Sequence, residues 1–212
     1  MFEIEYKGAN SVTISTKKSS LVTDAKLSLV GLKDVSTKDV VELATEDRFA
    51  LRNENARLVL DGPGEYGVGE FDIKAIAAQR HLDSETEPLA STIYRVEVNE
   101  TRIAILGNIY EKLSQAQLEE IGLIDILILP VGGNGYTLDA TGAANLVRSL
   151  DPKIVIPIHY EDAGVTYEVS QDALETFTKE LGAIVEEPAP KFKLKQGAPL
   201  PAVLTVLPLV RA

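Results

Sequence analysis

The chain contains no cysteine. That absence excludes disulfide scaffolds, thiol nucleophiles and every zinc site built on thiolate. Histidine is nearly as scarce, with His81 and His159 the only two in 212 residues. Basic residues are outnumbered, 21 Lys+Arg against 32 Asp+Glu, for a formal net charge of −11. A binder of nucleic-acid backbone needs clustered Lys and Arg to neutralise phosphates, so nucleic acid is not an expected partner. The same acidic surface repels anionic membranes. Long apolar runs are missing too. The stretch from Ile121 to Val131 is broken by Gly122 and Asp125, far short of the roughly 20 residues a spanning helix needs. Met1-Phe2-Glu3-Ile4-Glu5 carries carboxylates where a secretory leader carries Lys or Arg. The expectation is a cytoplasmic protein without a membrane partner.

What remains is the composition of a globular protein, 45% hydrophobic and 25% charged, long enough for a sizeable core. No Pro/Ser-rich linker divides it, and one domain over residues 1–212 is the simpler reading. Phe2, Ile4 and Tyr6 alternate with charged neighbours, and Val12, Ile14 and Thr16 resume the alternation after Gly8-Ala9-Asn10, which predicts an opening hairpin. Leu21–Thr23 and Arg57–Leu60 read as strands, whereas periodicity leaves the type of Val40–Ala44 open. Phe71, Ile73 and Ala75 begin a strand leading towards His81, and Ile93–Val98 with Arg102–Leu106 form a second predicted hairpin.

After residue 107 the pattern becomes α/β. Ser114 and Gln117 have capping-box spacing ahead of a short helix ending at Gly122. Ile124–Val131 and Lys153–Ile158 read as strands buried on both faces. Thr141–Leu150 is a predicted helix, Ser170 a predicted cap for another helix ending at Gly182, and Ala202–Leu209 a final strand.

Several strands end in polar or glycine-rich segments: Leu106-Gly107-Asn108, Pro130-Val131-Gly132-Gly133 and Pro157-Ile158-His159-Tyr160. Ligands of layered α/β proteins gather where strands end. Each residue also has an ordinary structural explanation. His159 fits a hydrogen-bonded strand end, His81 fits a solvated loop, and Asp139 or Thr141 fits a helix cap. Gly132 and Gly133 could offer backbone N–H groups to an anion, but the loop lacks both the P-loop lysine and dinucleotide spacing. No Gly-x-Ser-x-Gly elbow is present.

Taken in order, the opening hairpin, Asp61-Gly62-Pro63-Gly64-Glu65-Tyr66, Thr92-Ile93-Tyr94, Ile105-Leu106-Gly107-Asn108, Ile126–Gly133 and Ile156-Pro157-Ile158-His159-Tyr160 resemble the metallo-β-lactamase superfamily, in its ascorbate-6-phosphate lactonase-like branch of Zn-dependent hydrolases. The resemblance runs from about residue 1 to 207. It implies an α/β (α+β) fold, a four-layer αββα sandwich with its site at the rim. It also implies a two-metal cradle that opens with His-x-His-x-Asp-His and activates water for attack on an ester, lactone, amide or phosphodiester.

The corresponding ligand positions here fall on Thr45, Asp47, Phe49 and Ala50, with Arg48 among them. An early glycine-histidine turn of the branch falls on Gly8-Ala9, a bridging carboxylate on Asn108, and a later histidine on Glu111. His159 keeps the final ligand position, and His81 lies near another. Two histidines cannot rebuild a dinuclear cradle. The expectation is therefore a pseudo-hydrolase with no cofactor, binding a small ligand, anions being the first class to consider, or acting as an interaction module. Candidate residues are His81, Asn108, Gly132, Gly133, Asp139, His159 and Tyr160. The alternative is a mononuclear zinc or manganese hydrolase of a lactone, ester or phosphodiester, using His81, Asp83 and His159. Homo-oligomerisation is compatible with the resemblance.

Overall fold

The computed structural model describes residues 1–82 and 89–212. Its strands are β1 (Phe2–Gly8), β2 (Ser11–Ser15), β3 (Ser20–Thr23), β4 (Val41–Leu43), β5 (Leu58–Leu60), β6 (Gly64–Val68) and β7 (Phe71–Ala78). They continue with β8 (Ser91–Val98), β9 (Thr101–Ile105), β10 (Ile126–Pro130), β11 (Ile154–Ile158), β12 (Ile184–Val185), β13 (Phe192–Leu194) and β14 (Thr205–Val206). The α-helices are α1 (Gln115–Ile121), α2 (Ala140–Leu150) and α3 (Leu174–Leu181). Two mixed sheets result, one ordered β13-β1-β2-β3-β4-β5 and the other β12-β14-β11-β10-β9-β8-β7-β6.

Strand alternation determines how the sheets meet. Phe2, Ile4 and Tyr6 of β1 point inward with Val12 and Ile14 of β2, and they pack against Tyr94, Val96, Ile103 and Ile105 of the second sheet. The runs at β10 and β11 are apolar on both faces because they serve two cores. Ile126 and Ile128 join the inter-sheet core, while Leu127 and Leu129 face a second cluster with Ile121, Val147 and Phe177 from the helices. β10 runs parallel to both β9 and β11, so the C-terminal ends of these central strands open at the same edge. Pro157 is tolerated inside β11 because pairing with β14 covers only Ile154 and Val155.

The opening hairpin, the β8–β9 hairpin and the Ser114 capping box form as the sequence predicts. Val41–Leu43 resolves as a strand, parallel to both β3 and β5. Two expectations are corrected. Ser170 does not cap α3, whose N-cap is Ala173 without a side-chain bond. The preceding segment is instead drawn to the rim, where the Asp172 N–H donates to the Gly132 carbonyl at 2.7 Å. The expected strand Ala202–Leu209 shrinks to β14, since only Thr205 and Val206 pair with β11 and β12. No helix among the described residues is long and apolar enough to cross a membrane.

Phe177 is fully buried in the helix-side core. Phe177→Ala is expected to destabilise the chain by about 3–5 kcal/mol, read as a lowered denaturation midpoint with an unchanged slope. A loss under about 1 kcal/mol would show that this cluster contributes little.

Candidate functional site

Strand ends from both sheets converge on one rim. The β1–β2 turn brings Ala9 and Asn10, the end of β3 brings Asp24, and the end of β4 brings Thr45 and Glu46. β9, β10 and β11 end in Gly107-Asn108, Val131-Gly132 and His159. The approach is close enough to demand glycine twice. A Cβ on Gly107 would lie 2.5 Å from Thr45 Oγ1, and one on Gly132 would lie 2.4 Å from the His159 carbonyl oxygen.

His159 sits at the centre, 3% exposed, with a left-handed backbone at φ 50°. Its N–H donates to the Ala9 carbonyl at 3.1 Å and meets Tyr6 Oη at 3.3 Å. The imidazole lies near two rings, Tyr136 at 5.6 Å and Tyr167 at 4.7 Å between centroids. Nδ1 bonds Asn10 Oδ1 at 2.7 Å, so Nδ1 carries the proton and Nε2 is a bare acceptor. Burial, with Arg48 adding to it, pulls the imidazole pKa down to about 3. Nε2 and Asn10 Nδ2 are both buried without a partner. Both residues line a narrow pocket of about 20 Å³ shared with Asp24, Lys26, Leu27, Leu29, Val30, Phe49 and Tyr136, which is room for roughly one water.

Asp24 accepts from the Thr45 N–H at 2.7 Å and the Thr45 hydroxyl at 2.6 Å. Burial nevertheless raises its pKa to about 7. Glu46 is also pushed up by burial, against the pull of Arg48, the Asn108 amide and Arg80. Arg48 Nε reaches Glu46 Oε2 at 3.1 Å, and its Nη1 donates to Glu168 Oε1 at 3.1 Å. A third bond goes to the Tyr136 hydroxyl, and the guanidinium carbon stands 4.6 Å from the Phe49 ring centroid. A cation therefore ties the end of β4 to two loops more than 80 residues away.

The remaining candidates divide. Asn108 is at the rim, donating from Nδ2 to Glu46 Oε1 at 3.3 Å. His81 lies beside it, its N–H donating to the Asn108 carbonyl at 2.8 Å, with Nδ1 buried and unpartnered. Gly132 backs His159, but the Gly133 N–H is consumed by the Leu138 carbonyl at 3.0 Å, which corrects its role as an anion donor. Asp139 is the cap of α2, accepting from the Gly142 N–H at 2.7 Å. The side chain of Tyr160 turns from the rim onto Tyr6, at 6.1 Å between ring centroids, and the Leu209 carbonyl. Asp83 lies outside the described residues. Sequence reasoning missed Asn10, Asp24, Glu46, Tyr136 and Tyr167 as site residues. The available signal for Asp24 and Asn10 was a polar residue at the end of an apolar strand or within a hairpin turn.

A family model for the beta-lactamase superfamily domain matches residues 3–159. The chain belongs to the metallo-β-lactamase superfamily. A metallo-β-lactamase-superfamily structure from Thermotoga maritima, described as a Zn-dependent hydrolase, superposes with a TM-score of 0.78 at 22% identity, covering 99% of both chains. A metallo hydrolase from Ignicoccus hospitalis superposes with a TM-score of 0.67 at 15% identity, over 92% of this chain and 99% of that one. Identities this low establish the fold alone. A UPF0173 protein of Pyrococcus furiosus is 39% identical over 117 residues, 55% of this chain and 49% of that protein. A UPF0173 metal-dependent hydrolase of Thermoplasma acidophilum is 46% identical over 46 residues, 20% of each. The chain spans about half or less of the length of these curated relatives.

The superfamily's two-metal cradle does not fit this donor set. At the positions where the sequence resemblance places its ligands, Thr45 is bonded to Asp24, and Phe49 and Ala50 offer no side-chain donor. Asp47, the one carboxylate there, is 84% exposed and paired with Arg52. No group of three His, Asp or Glu able to hold a metal occurs among the described residues. The Arg48 guanidinium stands in the same strand-end turn. A guanidinium there repels a divalent cation.

The two buried titrations act in opposite directions. Asp24 binds its proton more tightly when folded, so its contribution is full below about pH 4 and is lost as pH rises through about 7. His159 binds its proton less tightly when folded, so stability falls as pH drops from about 6.5 towards 3. Each is on the order of 4–5 kcal/mol and they oppose each other between about pH 4 and 6.5. Asp24→Asn is expected to make thermal stability fall more steeply on acidification across this window, and His159→Gln to make it rise. Parallel pH profiles for the wild type and both variants would refute the assignment.

Proposed function

We propose that this chain is a pseudo-hydrolase, a metallo-β-lactamase-fold protein that uses its rim to bind a small ligand rather than to hold a dinuclear metal centre. The observation that carries this reading is Arg48, which stands among the ligand positions and bonds Glu46, Glu168 and Tyr136. A fixed cation organises carboxylates that would otherwise attract a metal, and no metal cofactor is required. His159 Nε2 and Asn10 Nδ2, both buried without a partner, line a pocket with room for roughly one water, so they would meet only a single small polar group of a ligand. The acidic composition fits a cytoplasmic setting.

A second reading, a mononuclear metal-dependent hydrolase, is favoured by the bare, buried Nε2 of His159 and by the names of the relatives. Orienting the other ring nitrogen by a hydrogen bond is what metal-binding histidines require. His81 is its second candidate ligand, although its described bonds are to Asn108.

The two readings separate on metal content. Protein expressed with added zinc and manganese, purified without chelator or polyhistidine tag, is expected to carry close to no metal per chain by mass spectrometry. About one metal per chain, lost in His159→Ala, would overturn the pseudo-hydrolase reading and call for a screen of lactones, esters and phosphodiesters.

A further inference from the structure

We propose that the chain associates with copies of itself head to tail, the β6 edge of one copy pairing antiparallel with the β13 edge of the next. This association goes beyond the ligand-binding reading and does not rest on it. β6 is an outermost strand of the second sheet and β13 an outermost strand of the first. Among the described residues each is paired on one side only, β6 with β7 and β13 with β1. Such an edge is a row of unpaired main-chain groups, ready to take another strand.

Alternation along the ladders determines which groups face outward. The two-residue turn Gly69-Glu70 makes Val68 and Phe71 a hydrogen-bonded pair. Gly64, Tyr66 and Val68 therefore bond to β7, and Glu65 and Gly67 turn their N–H and C=O groups to the open edge. On the first sheet the Thr16 N–H donates to the Ser19 carbonyl at 2.8 Å. Counted back through the β2 and β1 registers, Phe2 and Ile4 bond to Leu194 and Phe192, which leaves Lys193 facing outward. Gly67 set opposite Lys193 of a second copy exchanges both main-chain bonds with it. Glu65 then lies opposite Lys195, whose carbonyl is held by the Ala198 N–H at 3.0 Å, so that pair adds the Lys195 N–H alone.

The side chains match in that register on both faces. On the outer face Glu65 meets Lys195, and Lys193 lies over Gly67, where an added Cβ stands 3.6 Å from Asp72 Oδ1. On the inner face Tyr66 meets Leu194 and Val68 meets Phe192, apolar against apolar. The charges involved are not committed elsewhere. Asp72 and Lys195 are exposed and make no side-chain hydrogen bond or ion pair among the described residues. Glu65 and Lys193 are 76% and 55% exposed, and their contacts to Lys74 at 3.6 Å and Glu3 at 3.7 Å are longer than a hydrogen bond. Pairing like with like is disfavoured, because Lys191, Lys193 and Lys195 repel their copies across two β13 edges and β6 has no cation to offer a second β6. Unlike edges form a heterologous contact, which continues past two copies unless the rotation closes a ring.

Sedimentation velocity over a concentration series reads the association. The wild type is expected to form species larger than a monomer below about 1 mM chain, and fewer of them at high salt. Asp72→Lys and Lys195→Glu, both at exposed positions, are each expected to weaken association about tenfold. Gly67→Pro deletes an outward N–H without touching the ladder to β7 and is expected to do the same. An equimolar mixture of Asp72→Lys and Lys195→Glu is specific to head-to-tail pairing. The intact β6 of one meets the intact β13 of the other, so association returns but stops at two chains. A wild type that stays monomeric to about 1 mM would overturn the proposal. So would an oligomer that all three substitutions leave unchanged, or a mixture no more associated than its components. Metal content is a separate readout, so the pseudo-hydrolase reading stands or falls independently of these outcomes.

Discussion

Burial of β10 and β11 on both faces organises the molecule. Ile126 and Ile128 meet the first sheet while Leu127 and Leu129 meet the helices, and Ile156 and Val155 of β11 divide in the same way. A strand with two apolar faces has no stable place at a surface, so it must lie between layers. Parallel pairing with β9 then brings three strand ends to one edge. Slipping either strand by one residue would exchange the two cores, so register and site geometry are determined together.

At that edge the chain handles charge in its own way. Metallo-β-lactamase folds bring carboxylates and imidazoles together, and such a cluster needs positive charge to be stable in a low dielectric. Here part of that charge is covalent. Arg48 pairs with Glu46 while bridging to the Tyr136 and Glu168 loops. Asp24 takes another course, since its pKa near 7 lets it approach neutrality. His159 does the same from the opposite direction, remaining uncharged down to about pH 3. A guanidinium, a readily protonated acid and a neutral imidazole together reduce the charge that burial would otherwise leave unbalanced. A cleft of about 440 Å³, lined by residues of β7 and α1 such as Ile76 and Gln117, is separate from this chemistry.

Much of the fold was legible because period and capping are local properties. Phe2-Ile4-Tyr6 specifies a half-buried strand without knowledge of its partner, and Ser114 with Gln117 specifies a helix start from four residues. Legibility failed where distant contacts compete with local ones. Ser170 has a capping side chain, but the neighbouring Asp172 is held by Gly132, and the helix begins later. Asp139 was ambiguous for a related reason, since the same carboxylate suits a ligand and a cap until the α2 N–H groups are in place.

The short strands β6, β12 and β13 carry no local signal. The sequence by itself determined most of the strands, the three α-helices, the two-faced character of β10 and β11, the fold family and the shortage of histidine. These follow from residue identity, periodicity and counting, which need no coordinates. Only the tertiary structure decided that Asp47 turns outward to Arg52, that Asn10 orients His159, and that Arg48, Arg80 and Asn108 meet around Glu46. Those contacts join segments tens of residues apart, or depend on which way a side chain points at a strand end. Neither has a local signature, because each results from packing two sheets whose edges the chain reaches at separate points along its length.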